Sequence, residues 1–559
     1  MKNGFVDYLN TLHNYNAQNP NAYGESNFES KYFDDVVVEV GLCGFIENKI
    51  MNDTPQTIIL TGHAGDGKTS IMYNVLSALG GQFDSSKPIF DVTYDNKLIH
   101  CIKDFSEISD IDKPDVLKTA LEMPNSGNFT FMVANTGPLI NTFKSLYTSE
   151  DEGEAAQIQL IDEMDRNSGV AKSIGGHMIC IINVAAVDNT YFAKEFLENI
   201  TKDELWHDCA NCDKKDVCHI YSNRCLIQKN HNRVYDFVSK HYIWLTEHGK
   251  RLTIRSMTEQ LSYMITGGVS CDDVKKDRRF DYLFSNLFFG YIKTYRDPKS
   301  LNILAIKELS SVGYDTKRLR SDERLLINRD FSHIFGAEAA DLLINAEKDS
   351  AFEPGWAEAV RRAYFFLNII MDEKTLENDM EDIFSKQFSR YLSLRDGLST
   401  PSKSDVNLIC DALSMIYIGT TKVNDRIPLT LSRNSGITQN VQLITGMLDT
   451  RDIKLVLSPT KDNVFDKNRV KNELRLDIRK QRLSSIITLP LLDYFEELKN
   501  GIISTNIDPQ LSHGVESLKA ELASMFSDDE DTFEMIILKN SGNETVELEI
   551  TPSKRIQVL

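Results

Sequence analysis

Residues 62–69 read Gly-His-Ala-Gly-Asp-Gly-Lys-Thr, a G-x-x-x-x-G-K-T spacing. An apolar run, Thr57 to Leu60, leads into it, and a helical pattern from Thr69 to Leu79 leaves it. In that setting the spacing suits one kind of chemistry, the gripping of a polyphosphate. Glycines at 62, 65 and 67 let backbone N–H groups approach phosphate oxygens with no Cβ in the way. The helix that begins there aims its positive end at the same anion. Lys68 is placed to reach the β- and γ-phosphates, and the Thr69 hydroxyl to ligate Mg²⁺; Ser70 follows them in the cradle. His63 and Asp66 fill variable positions. Asp66 is counted with the nucleotide-contacting loop, and neither side chain is assigned chemistry of its own.

A magnesium nucleotide also needs an acid on a neighbouring strand. Two apolar segments follow, 88–93 (PIFDVT) and 97–103 (KLIHCIK), and the second ends in Asp104-Phe105-Ser106-Glu107. Asp104 is read as the acid that helps place Mg²⁺ and Glu107 as the group that polarises the attacking water, although such acids usually stand side by side. Two later strand-like runs end in amides: 129–134 (FTFMVA) before Asn135, and 178–182 (MICII) before Asn183. Asn135 follows the acidic strand directly and is preferred as the water-orienting amide, the alternative being an Asn that begins a turn. Further on, Thr253 can cap an amphipathic helix that ends at Gly267-Gly268. Arg255 in its first turn is the candidate to reach the nucleotide from such a lid. The expected catalytic set is therefore Lys68, Asp104, Glu107 and Asn135.

Residues 206–226 carry a second kind of chemistry. Cys209-x₂-Cys212-x₅-Cys218-x₆-Cys225, interleaved with His207 and His219, has the spacing of a closed structural Zn²⁺ site. A [4Fe–4S] cluster also takes four thiolates, and reduced thiols without metal are the third reading. Cys209, Cys212 and Cys218 are firmer than Cys225, which His219 could replace. The cysteines at 43, 101, 180, 271 and 410 read as small buried hydrophobes.

Elements that alternate between strand and helix must position these residues. The pattern predicts an α/β P-loop NTPase core, a parallel sheet flanked by helices, over 51–205. A helical lead (1–50) precedes it. The cysteine knuckle (206–230), a helical lid (231–270), a helical middle region (271–440) and a small α+β domain (441–559) follow. Aromatic runs at 283–292 and 359–370 read as core. Arg361 and Arg362 could act in trans if the chain forms a homo-oligomeric ring, but surface pairs are commoner. Residues 533–550 predict a hairpin turning at Asn540–Asn543. The stretch 467–482 holds seven basic and two acidic side chains, net +5, in a chain of net charge −20. It is the best candidate for a DNA contact, its bland reading being a solvated helix face. The acidic run Asp528–Asp531 reads as an exposed linker.

The chain has 559 residues and a composition of 41% hydrophobic and 26% charged, ordinary for a globular protein and unlike one that coats DNA uniformly. No secretory signal is apparent and the most apolar stretch, 178–187, is too short to span a bilayer, so a cytoplasmic protein is expected. There is no nuclease acid–acid–lysine set, HNH pattern, DEAD-type box or Ser-His-Asp order, so any cutting group is expected on a partner subunit.

The GDGK[ST] loop at 65–69, the D-x-S-E acid strand at 104–107, Asn135 and the CxxC-x₅-C knuckle at 209–218 together resemble the DptF family. Those are P-loop proteins of phosphorothioation-dependent DNA restriction, similar to AAA+/STAND-type ATPases of anti-phage complexes. The resemblance spans about residues 55–265 and implies ATP as ligand, with a nuclease or helicase among the partners. The chain departs from the family in His63 and in a fourth cysteine, Cys225. Three functions compete: an Mg²⁺-dependent ATPase gating a DNA-directed defence complex, a nucleotide-switched scaffold with little turnover, and, less favoured, a P-loop kinase. ATP is expected over GTP because no guanine-reading motif stands out.

Overall fold

The strands at the centre of the first sheet are near-continuous apolar runs. Such runs sit where a sheet is covered on both faces. In the computed structural model, β1 (Thr57–Thr61), β4 (Phe129–Val133) and β6 (His177–Asn183) pair in parallel around β1, and β3 (Lys97–Ile102) pairs in parallel with β4. Residues 2–15, 28, 30–276, 278–310, 317–369, 373–420, 425–430, 440–466, 469–478, 483–502, 507–525, 532–539, 542–551 and 555–558 are described.

The pleat of β1 sends Ile58 and Leu60 into one core and Ile59 into the other. On the first side they meet Val75 and Leu76 of the helix Lys68–Ala78 and Ile46 of the helix Gly41–Asn52. On the second, Ile59 meets Leu117, Leu139 and Leu160 from three helices, Lys113–Glu122, Thr136–Ser145 and Glu150–Arg166. Cys43, Cys101 and Cys180 are fully buried in the first core, as small hydrophobes.

The sheet is not wholly parallel. Two further strands, β2 (Ile89–Tyr94) and β5 (Lys172–Ile174), form its edges in the order β2-β3-β4-β1-β6-β5, each antiparallel to its neighbour. β2 joins β3 through Asp95-Asn96, both with positive φ (45° and 60°). β5 joins β6 through Gly175-Gly176, with φ of 54° and 90°. Two residues close a hairpin but cannot make a parallel crossover, so the expected all-parallel sheet is corrected at its edges.

The chain divides into two units, 1–383 with 461–469, and 384–460 with 470–559. The first adds to the sheet a set of helices that includes His219–Lys229, His231–Glu247, Ile254–Thr266 and Trp356–Leu367. Within it the aromatic run 283–292 is not one helix: Phe284–Leu287 is helical and Tyr291–Ile292 pairs with Tyr295–Arg296 as a short ribbon. The second unit is antiparallel, with a five-stranded and a three-stranded sheet and helices Lys403–Ile418, Leu489–Lys499 and Pro509–Ser524. Its strands Thr532–Lys539 and Gly542–Ile550 form the expected hairpin, while Asn540 and the acidic run 528–531 lie outside the described residues. No described helix is long and apolar enough to cross a membrane.

Candidate functional site

The four parallel strands point their carboxyl ends at one edge, where open α/β sheets bind ligands. β1 delivers the glycine loop there. Gly62, Gly65 and Gly67 have φ of 145°, 88° and 80°, a region L side chains rarely adopt. Space demands glycine too: a Cβ on Gly65 would stand 3.1 Å from both Thr253 Oγ1 and Arg255 Cβ, and one on Gly67 would stand 3.0 Å from Ile254 Cδ1. The helix Lys68–Ala78 starts immediately after, so its unpaired N–H groups and its positive dipole end open onto the same spot.

Lys68 is 7% exposed. Its ammonium donates to Gly62 O (3.2 Å), His63 O (2.7 Å) and Asn135 Oδ1 (3.1 Å). Burial lowers its pKa, the charges of Asp66 and Asp104 oppose that, and Arg255 adds to it. Asn135 follows β4 and is itself aimed by a second bond, Nδ2 to Ser106 Oγ (2.8 Å). Ser106 belongs to the turn that Asp104 caps, its N–H donating to Asp104 Oδ1 (2.7 Å). The D-F-S-E turn and the amide of the next strand are thus one hydrogen-bonded unit that ends on the lysine.

A cavity of about 320 Å³ opens beside this unit. Gly65, Gly67, Lys68, Thr69, Ser70, Asp104, Glu107, Asn135 and Arg255 all line it. Apolar side chains line it as well, among them Phe33, Val36 to Val38, Val40, Phe192 and Phe196. The lining therefore offers cations, hydroxyls and helix N–H groups together with hydrocarbon. That combination suits an anionic ligand with a flat or apolar body.

Gly62 and Asp66 do not line the cavity. Gly62 contributes its carbonyl to Lys68. Asp66, expected in the cradle without a side-chain role, is fully buried as a side chain. Its Oδ2 accepts from the His63 N–H (2.9 Å) and its Oδ1 from Arg251 (2.7 Å), which also donates to Val184 O (3.2 Å). Sequence reasoning missed this pair, because the partner lies 185 residues away. Thr253 caps the helix Ile254–Thr266 by accepting from Ser256 N (3.2 Å), and Gly267 ends it with φ of 60°. Arg255 N–H donates to Gly65 O (3.0 Å), so the start of this helix lies directly on the loop. One turn on, Glu259 is 5% exposed and its carboxyl is pushed up to about 7 by burial, against the pull of Arg255. Asn183 ends β6 and turns its side chain to Ala185 N.

Other expected site residues lie elsewhere. Cys225 stands seven residues beyond Cys218 on the helix His219–Lys229, about 10.5 Å along its axis, too far to share a metal with it. His219, the other expected ligand, is fully buried against Tyr282, with Nε2 on Thr266 O (3.2 Å). Among the described residues, no three His, Cys, Asp or Glu side chains stand as a formed metal-ligand set. Arg361 grips Asp322 with two bonds (2.9 and 2.7 Å), and Arg362 is fully buried on Asn286 and the Tyr291 ring. Neither is available to a second copy. The described part of 467–482 is not a helix face: Asn472–Ile478 is a strand. Within it Arg475 pairs with Glu473, while Arg469 pairs with Glu195 and stacks on Tyr191. Residues 467, 468 and 479–482 lie outside the described residues.

No family model, curated protein or solved structure matches this chain.

Proposed function

We propose that this chain is a P-loop NTPase that binds Mg-ATP in the cavity over residues 62–70 and hydrolyses it. The observation that carries the reading is Lys68: a buried ammonium at a helix N-terminus, bonded to its own loop and to Asn135, with the charge of Asp104 close by. Thr69 and Asp104 would hold Mg²⁺, which supplies charge neutralisation on the phosphates. The loop N–H groups and Lys68 bind the triphosphate tail, and the apolar side chains of the lining take the base. Glu107 and Asn135 orient a water for in-line attack, and Arg255 approaches from the overlying helix. Catalysis here is positioning and electrostatics rather than covalent chemistry.

The resemblance to DptF-like proteins makes a DNA-directed anti-phage complex the setting in which such hydrolysis would serve, with cutting performed by partner subunits. A nucleotide-switched scaffold is the second reading. It is favoured by the Arg255 N–H to Gly65 O bond, through which a ligand on the loop moves the helix Ile254–Thr266 directly.

Phosphate release by the purified full-length chain, with and without DNA, separates the two. Steady turnover supports the first; tight ATP binding without release supports the second. Lys68→Ala is expected to lose nucleotide binding, by about 100-fold or more in affinity on calorimetry. Unchanged affinity would contradict the proposed cradle.

A further inference from the structure

A group of thiols stands away from the nucleotide cavity. Cys209 lies in the short helix His207–Ala210, and the Cys212 N–H donates to its carbonyl (3.1 Å). The Lys214 N–H donates to Cys212 Sγ (3.4 Å). Cys218 is the N-cap of the helix His219–Lys229, and its own N–H donates to Lys215 O (3.4 Å).

Cys271 comes to the same place from beyond the helix Ile254–Thr266. The segment around Asn3 connects it to the others: the Asn3 side-chain amide donates to Cys209 Sγ (3.4 Å), and the adjacent Lys2 pairs with Asp272, the residue after Cys271. Cys271 also interacts electrostatically with Cys209, Cys212 and Cys218. Cys225 instead pairs with Tyr221 on its own helix.

We propose that Cys209, Cys212, Cys218 and Cys271 close as a tetrathiolate around one zinc-class divalent ion, with Asn3 as the outer donor and Cys225 taking no part. A tetrahedral zinc at about 2.3 Å from each ligand spaces its sulfurs about 3.8 Å apart. One χ1 change carries a cysteine sulfur about 3 Å, enough to gather neighbouring thiols but not to bring in one two helical turns away. Four thiolates suit a closed structural site rather than a catalytic one. The ion would tie the two ends of the 219–270 segment to each other and, through Asn3, to the N-terminal helix Gly4–Thr11. This inference does not depend on the nucleotide reading.

The test uses the full chain, with metal content measured for the wild type, Cys225→Ser and Cys271→Ser, and cobalt(II) as an optical probe. About one zinc per chain is expected in the wild type and in Cys225→Ser, with thiolate-to-cobalt charge-transfer bands on substitution, and loss of both in Cys271→Ser. Zinc retained in Cys271→Ser, zinc lost in Cys225→Ser, iron with sulfide in place of zinc, or a wild type that takes up no metal would each overturn the proposal. Should Cys271→Ser fail to fold, alkylation of the wild type decides. Zinc should protect Cys209, Cys212, Cys218 and Cys271 while leaving Cys225 at its metal-free rate; protection of Cys225 in place of Cys271 overturns it.

Discussion

At residues 62–69 the chain offers backbone: amides and carbonyls of one continuous turn, held open by glycines. At residues 3, 209–218 and 271 it offers side chains drawn from three separate stretches. The two regions show different ways to make a site. A backbone cradle takes its shape from a few local dihedrals and from the helix that follows. A thiol cluster has no shape until packing brings its members together. The contrast has one exception: inside the loop, Asp66 is a buried carboxylate whose charge is met by Arg251.

The sharpest test of the backbone picture concerns turnover. If the loop binds and the D-F-S-E turn performs the chemistry, Glu107→Gln should lower phosphate release by about 10²- to 10⁴-fold while leaving ATP affinity nearly intact. An unchanged rate would remove Glu107 from the water-polarising role.

The next effect is on stability, and it would blur the contrast. Arg251→Ala leaves the Asp66 charge buried without its cation, so a loss of about 3–5 kcal/mol is expected in urea unfolding. A loss below about 0.5 kcal/mol would mean that the loop holds its shape without remote help.

A smaller effect separates pH from packing. The Glu259 carboxyl rises from its ordinary 4.5 to about 7 in the fold. A buried acid with a raised pKa costs nothing below the unfolded value, costs progressively more as pH climbs from about 4.5 to 7, and costs its full amount above that. Glu259→Gln should therefore stabilise the protein at pH 8 by about 1–3 kcal/mol and change little near pH 4. Equal effects at both pH values would show that packing, not charge, decides that site.

The smallest expected effect lies in the second unit. Arg475 stands on the strand Asn472–Ile478 beside Glu473. If that basic stretch touches DNA, Arg475→Glu should reduce the salt slope of binding by about one. Binding and slope unchanged would leave the strand as ordinary surface.

Much of the first unit could be read directly from residues 57–79 and 97–145, because each feature there is settled within a few positions. A glycine at a positive φ, a threonine cap and an apolar run that must be covered on both faces are local facts with local causes. The hairpins at Asp95-Asn96 and Gly175-Gly176 carried the same kind of signal, two-residue loops of turn-forming residues. Recognising them would have turned the edge strands around in advance. The bond from Asn135 to Lys68 follows from strand order, which sets the end of β4 beside the end of β1. Arg361 and Arg362 were not legible in this way, since burial on Asp322 and Asn286 depends on elements that arrive from far along the chain.

The amino-acid order alone determined the glycine loop, the helix that starts at Lys68, the acid turn at 104–107 and the cap at Thr253. Backbone conformation and short-range hydrogen bonds are set first by neighbours in sequence, and distant residues such as Arg251 and Arg255 then pack onto them. Only the tertiary structure decided that Asp66 pairs with Arg251 and that Glu259 is buried one turn from Arg255. A side-chain site is a coincidence of positions in space, and spacing along a chain constrains such positions only within one element. Between elements, the packing of apolar faces sets them.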